Sequence, residues 1–157
     1  MKNILVIDDE PKIVKLIGSM LESEGHGVTR CGSVGEAKTH LKQEIFDLIV
    51  SDVRLPDGSG IDVLRYAREA FPQTQVIMIT AYGTVNQAVE AIHLGAFDYL
   101  QKPFEMESLA RLVRRALDRA NLNQELQVLR KETHSQSRHR RIDGKSSAID
   151  QVRMLID

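Results

Sequence analysis

Apolar positions along this chain keep two rhythms that alternate five times. Short, mostly apolar runs at Ile4–Ile7, Val28–Cys31, Phe46–Ser51, Val76–Ile79 and Phe97–Leu100 predict strands. The third run ends on Asp52 and meets a loop with Pro56, Gly58 and Gly60, reading as a strand buried on both faces. Between the runs, apolar residues recur every three or four positions. Ile13, Leu16, Ile17, Met20 and Leu21 follow Pro11, which suits a first helical turn, and Gly25 and Gly27 stop that helix. Ser33 predicts an N-cap, with Glu36 completing a capping box, for a helix running to about Gln43. Gly60–Ala70 is a third helix, with Val63, Leu64, Ala67 and Ala70 on its apolar side and Asp62, Arg65 and Glu69 opposite. Phe71-Pro72 breaks it. Thr84–Leu94 is a fourth, stopped by Gly95, and a fifth begins at Met106. Strands alternating with helices in this way predict an α/β protein, a parallel sheet covered on both faces.

Composition narrows the setting. The 157 residues are 42% hydrophobic with no tryptophan, enough for one globular domain whose core is mostly aliphatic. Cys31 is the single cysteine, which excludes an intrachain disulfide and predicts a small buried side chain rather than a reactive thiol. Ile4–Ile7 is too short for a signal peptide and is followed by Asp8, Asp9 and Glu10, and no apolar run approaches the ~20 residues of a membrane helix. These features predict a soluble, cytoplasmic protein. Charge divides the chain: residues 1–104 carry 10 basic and 14 acidic side chains (net −4), and residues 105–157 carry 11 and 8 (net +3).

Candidate chemistry lies at the strand ends. The first strand ends on Asp8 and Asp9, the third on Asp52, the fourth on Thr80 and the fifth on Lys102. In a parallel sheet these ends share one edge, where open α/β folds place ligands. Three converging carboxylates repel one another unless a cation is present, and magnesium suits one or two carboxylates plus water. Lys102 offers a mobile charge and Thr80 a hydroxyl, so the set fits a phosphoryl group on Asp52, formed with the carboxylate as nucleophile.

With Asp8-Asp9, Asp52, Thr80 and Lys102-Pro103 in place, residues 1–120 resemble the receiver domain of bacterial two-component response regulators. The resemblance implies a flavodoxin-like, five-stranded doubly wound sheet of order 2-1-3-4-5. It implies that Asp52 takes phosphoryl from a sensor histidine kinase, that Asp9 binds magnesium directly and that Asp8 binds it mainly through water. Arg54 would add its backbone carbonyl to the metal, Lys102, whose bond to Pro103 is often cis in the family, would contact the phosphoryl group, and Thr80 and Tyr99 would form the switch. An ordinary half-buried strand tyrosine is an equal reading of Tyr99. The domain would regulate rather than act as an enzyme, beyond its own phosphorylation and dephosphorylation.

SDVRLPDGSGIDVL and ITAYGTVNQAVEAIHLGAFDYLQKPF resemble the NtrC-type subgroup, which activates sigma-54 RNA polymerase. Leu122, Leu126 and Leu129 continue the fifth helix as a coiled-coil-like seam, and 121–141 reads as a linker helix ending in a basic flexible tract. Residues 142–157 resemble the opening of that subgroup's central ATPase domain, so the chain is expected to be a fragment. A homodimer through helix four, strand five and the linker helix is expected, which phosphorylation would either make or break. Sigma-54 polymerase and DNA would be reached through domains outside this chain. Gly144-Lys145-Ser146 is not a P-loop, because His139 replaces the required first glycine. Three rivals remain: a different output domain; a magnesium-dependent aspartyl-phosphate hydrolase, disfavoured because Arg54 stands where its general acid belongs; and nucleic-acid binding through Arg138, Arg140 and Arg141, disfavoured for want of aromatics or a binding motif.

Overall fold

The computed structural model describes residues 1–81 and 85–122. The first of its two compact units, Met1–Leu117, contains β1 (Asn3–Ile7), α1 (Pro11–Ser23), β2 (Gly27–Cys31), α2 (Val34–Gln43) and β3 (Leu48–Asp52). It continues through β4 (Arg54–Leu55), β5 (Gly58–Ser59), α3 (Gly60–Ala70), β6 (Gln75–Thr80), α4 (Val85–His93) and β7 (Asp98–Gln101) to a final helix, α5, over 106–117. Five strands form an all-parallel sheet of order β2-β1-β3-β6-β7. With the two-residue ribbon β4-β5 set aside, this is the order 2-1-3-4-5 expected from the sequence. The second unit is Asp118–Asp157, of which 118–122 are described and helical. The rest of the predicted linker helix, Leu126, Leu129, the basic tract and 142–157 lie outside the described residues.

Period-two side-chain placement splits each central strand between two cores. Leu5, Ile7, Ile49, Val76 and Met78 pack with α2, α3 and α4 on one face, through Ala37, Leu41, Leu64, Ala67 and Ala91. Ile4, Val6, Leu48, Val50, Ile77 and Ile79 pack on the other with Ile17 and Leu21 of α1 and Leu109, Leu112, Val113 and Ala116 of α5. Burying one such aliphatic side chain contributes about 1.5–3 kcal/mol. Both faces are filled, which fixes the register β1–β3–β6 and so aligns the strand ends.

Several boundaries differ from the expectation. The central strand is Leu48–Asp52 rather than Phe46–Ser51; Phe46 is buried, but in the approach to the strand. Leu16 does not join the α1 stripe: Val14, Ile17, Gly18 and Leu21 are buried, and Leu16 is 55% exposed because it lies off that four-residue arc. Ala70, at the end of α3, is exposed. Pro11 opens α1 as expected, and Gly25 and Gly95 follow α1 and α4 with φ of 91° and 105°, in the left-handed region that glycine tolerates. Ser33 accepts from the Glu36 N–H (3.1 Å), one half of the predicted box, whereas the full reciprocal box forms at α3 between Ser59 and Asp62. Among the described residues, no helix is long and apolar enough to cross a membrane.

Candidate functional site

The hydrogen-bond ladder of the sheet runs on past the strand ends and positions the acids. The Asp8 N–H donates to the Cys31 carbonyl (3.1 Å), Val53 N–H to Ile79 (3.0 Å) and Lys102 N–H to Thr80 (2.7 Å). Backbone therefore carries Asp8, Asp52 and Lys102 to one edge. Carboxylate oxygens of Asp8, Asp9 and Asp52 come within 4.8 Å of one another there. Asp8 is 2% exposed and Asp52 7%, while Asp9 is open to solvent.

Each buried carboxylate has defined partners. Asp8 accepts from the Glu10 N–H (2.9 Å), and Asp52 from the Arg54 N–H (3.2 Å). The Lys102 ammonium donates to both, at 3.1 Å to Asp8 and 3.0 Å to Asp52. Burial pushes the Asp8 carboxyl above its usual range, and the nearby Asp52 charge adds to this; the Glu10 N–H and Lys102 oppose it. Burial works against the charge on Lys102, but its bonds and attraction to Asp52 and then Asp8 outweigh that and raise its pKa. An anionic group at Asp52 would thus meet a firmly protonated ammonium.

Backbone packing behind the acceptor is equally tight. Gly60 donates to the Val53 carbonyl (2.7 Å), and a Cβ there would strike the Asp52 carbonyl oxygen and stand 2.8 Å from Met78 Cε and Ser51 Oγ. Ser51, fully buried, donates its hydroxyl to that same carbonyl (2.9 Å).

The model of the response regulator receiver domain family matches residues 4–114. The chain belongs to that family. It is 44% identical over 113 residues to the response regulator protein PilR of Pseudomonas aeruginosa, covering 72% of this chain and 25% of PilR. It is 31% identical over 157 residues to the nitrogen assimilation regulatory protein NtrX of Azorhizobium caulinodans, covering 99% of this chain and 34% of NtrX. The beryllofluoride-activated NtrC4 receiver domain dimer, known in solution, superposes with a TM-score of 0.72 at 37% identity, over 76% of this chain and 99% of that one. These relatives are NtrC-family regulators, as the sequence motifs had suggested, and the chain spans about a quarter to a third of the two curated ones.

Every strand-end residue singled out from the sequence stands at this edge of the receiver sheet. Thr80, 2% exposed, closes β6 and pairs with Gln101, next to Lys102; the Lys102-Pro103 bond is cis. Arg54 opens the β4-β5 ribbon, and Tyr99 lies on β7 at 37% exposure. Cys31 is buried, and burial pushes its thiol up to about 12, in keeping with a packing role.

Two contacts had no signal in the sequence. Asp57, at the tip of the ribbon, accepts from the Val34 and Gly35 N–H groups at the start of α2 (2.8 and 2.9 Å). Arg68 at the end of α3 donates to the carbonyls of Pro72 (2.6 Å), Thr74 (2.7 Å), Phe71 (3.4 Å) and Gly95 (3.5 Å), gathering the loops before β6 and β7. A motif search for capping boxes or strand-end acids reaches neither: Asp57 and the Arg68–Gly95 contact join segments more than twenty residues apart, and the nearer carbonyls of Phe71, Pro72 and Thr74 belong to an irregular loop with no periodic pattern.

Proposed function

We propose that this receiver takes phosphoryl from a sensor histidine kinase onto Asp52 and thereby switches the assembly state of a sigma-54-dependent transcriptional activator. The observation that carries the reading is the Lys102 ammonium bridging Asp52 and Asp8 while Asp9 shares the same cluster.

The all-oxygen donor set suits a hard divalent ion, with Asp8, Asp9, Asp52 and the Arg54 carbonyl as the residues that would hold magnesium. When bound, the ion supplies positive charge against the phosphoryl oxygens. An Asp52 oxygen attacks the phosphohistidine phosphorus; the new P–O bond forms as the P–N bond breaks, and the imidazole leaves with a proton. The Arg54 N–H orients the Asp52 carboxylate, leaving its other oxygen to Lys102. Lys102 then follows the transferred charge onto the phosphoryl group. As the switch, the Thr80 hydroxyl turns toward the phosphoryl group and Tyr99 leaves its exposed position for the interior.

Dimerisation through α4, β7 and the linker helix is the proposed output, which exposed Val89, Ile92 and Tyr99 and the dimeric NtrC4 receiver both support. Polymerase and DNA would be engaged by the domains that make up the remainder of proteins such as PilR and NtrX. The test is labelling by a small phosphodonor with magnesium. Asp52→Asn is expected to abolish uptake, and equal labelling of wild type and variant would remove Asp52 from the acceptor role. In parallel, the mass of the chain is measured by light scattering before and after beryllofluoride and magnesium. A change of mass that disappears in Asp52→Asn supports the assembly switch and gives its direction.

A further inference from the structure

We infer that Asp57 is a positioning residue for the acidic site, pinning the β4-β5 ribbon to the start of α2 and so fixing the Arg54 peptide beside Asp52. The inference rests on the reading of Asp52, Asp8 and Asp9 as a magnesium-assisted phosphoacceptor site.

Both oxygens of Asp57 are used, one on the Val34 N–H and one on the Gly35 N–H, at 2.8 and 2.9 Å. These amides belong to the first turn of α2, whose N–H groups lack intrahelical partners and whose dipole favours an anion. Ser33 already caps the same helix as the residue that directly precedes it, through the Glu36 N–H at 3.1 Å. Asp57 arrives from more than twenty residues away, so its bonds tie two segments together as well as capping one. A Cβ on Gly35 would sit 3.4 Å from Asp57 Oδ2, and one on Gly58 3.5 Å from Val34 Cγ2, which shows how closely the two segments meet.

What Asp57 holds is the loop that follows the acceptor. The ribbon has two rungs, Arg54 with Ser59 and Leu55 with Gly58. A hairpin this short has no stability of its own and takes its position from its anchors. Leu55 buries in the core and the Ser59–Asp62 box holds the exit, which leaves the tip to Asp57. The first rung is Arg54, whose N–H reaches the Asp52 carboxylate at 3.2 Å and whose carbonyl is the proposed metal ligand. Freeing the tip lets the Arg54 backbone turn away from Asp52.

The experiment is calorimetric titration of the full chain with Mg2+ at pH 7, well below the unfolding temperature, beside labelling by a small phosphodonor across magnesium concentrations. Asp57→Ala is expected to weaken Mg2+ binding about tenfold, the lower end of what loss of an outer-shell partner costs a metal site. Its labelling rate should fall at low magnesium and recover at saturation. Asp57→Asn keeps one accepting oxygen, so it should fold and fall between Asp57→Ala and wild type. Ser33→Ala removes the other cap, so it should lower the melting temperature and leave Mg2+ affinity unchanged. Unchanged affinity in Asp57→Ala and Asp57→Asn overturns the inference, as does an equal loss in Ser33→Ala, which would reduce Asp57 to helix stability. A wild-type chain that binds no Mg2+ and takes no label fails differently, by undoing the acceptor reading on which the inference stands.

Discussion

Strands β3 and β7 share one sheet and are built to opposite specifications. All five residues of β3 are buried between β1 and β6, and it ends on Asp52, whose two oxygens accept from the Arg54 N–H and the Lys102 ammonium. β7 is an edge strand of four residues that alternates half-buried and exposed, beside an α4 that shows Val89 and Ile92 to solvent. Groups that react need fixed geometry, which the centre of a doubly covered sheet provides. Elements that respond need a low cost of rearrangement, found where few apolar contacts hold the backbone. A charge added at the first region can bias the second without disturbing the fold.

Two glycines put this contrast to the strongest test. Gly60→Ala drives a Cβ into the Asp52 carbonyl, a backbone atom locked by β3 and by Ser51. We expect a loss of about 3 kcal/mol, the upper end of overpacking costs. Gly95→Ala meets Arg68 Cδ at 2.8 Å, the stem of a flexible side chain, and a φ of 105°. There the loss should be about 1–2 kcal/mol, mainly from backbone strain with a smaller part from displacing the Arg68 stem. Urea unfolding midpoints decide between them, and equal losses would break the comparison.

A smaller effect probes the site's unbalanced charge. The Asp8 carboxyl is held above its usual range by burial and by Asp52, so its folded pKa exceeds 3.8, the unfolded value. A raised carboxyl pKa stabilises the fold fully below the unfolded value, and that contribution is lost as pH rises through the folded pKa. At pH 7 in EDTA the domain therefore carries an unfavourable carboxylate. Asp8→Asn, which keeps an acceptor for the Glu10 N–H and leaves Lys102 to Asp52, should raise Tm by about 4 °C, the response to about 1 kcal/mol in a domain of this size. The gain should shrink to nothing as the buffer approaches pH 3.8 and should reverse when excess magnesium stabilises the wild type. A lower Tm for Asp8→Asn at pH 7 in EDTA would mean that the Lys102–Asp8 ion pair outweighs the desolvation.

The same contrast explains what the sequence made legible. The central strand reads clearly, though it starts two residues after the expected Phe46, because burial on both faces demands a continuous apolar run, and the acid closing it announces a site. The strand-end set Asp8, Asp9, Asp52, Thr80 and Lys102 follows from topology once the strands are in order. The β4-β5 ribbon reads as plain loop in the sequence because two-residue strands carry no period. Leu16 fits the apolar stripe by spacing yet is exposed, because it lies one residue from Ile17, where a helix turns by ~100° per residue and the stripe's edge is ambiguous. The bonds of Asp57 to α2 and of Arg68 to Gly95 depend on loops meeting in space, and the bonds of Arg68 to Phe71, Pro72 and Thr74 depend on the path of an irregular loop, so neither leaves a periodic pattern.

The smallest effect on stability is expected at Tyr99. Its ring is 37% exposed, its N–H is held by its own neighbour Asp98 (2.8 Å), and its strand leads in three residues to Lys102. Exposed substitutions change stability within about 0.5 kcal/mol, so Tyr99→Ala should unfold almost as wild type does. Beryllofluoride should still bind at Asp52, because the acids, Lys102 and the Thr80 carbonyl that holds it are untouched. The change of mass on beryllofluoride treatment, if it runs through this strand, should be lost. Binding with loss of the mass change separates a fixed chemical centre from a movable edge. An unaltered mass change would take Tyr99 out of the switch, leaving it a strand tyrosine and moving the output to α4.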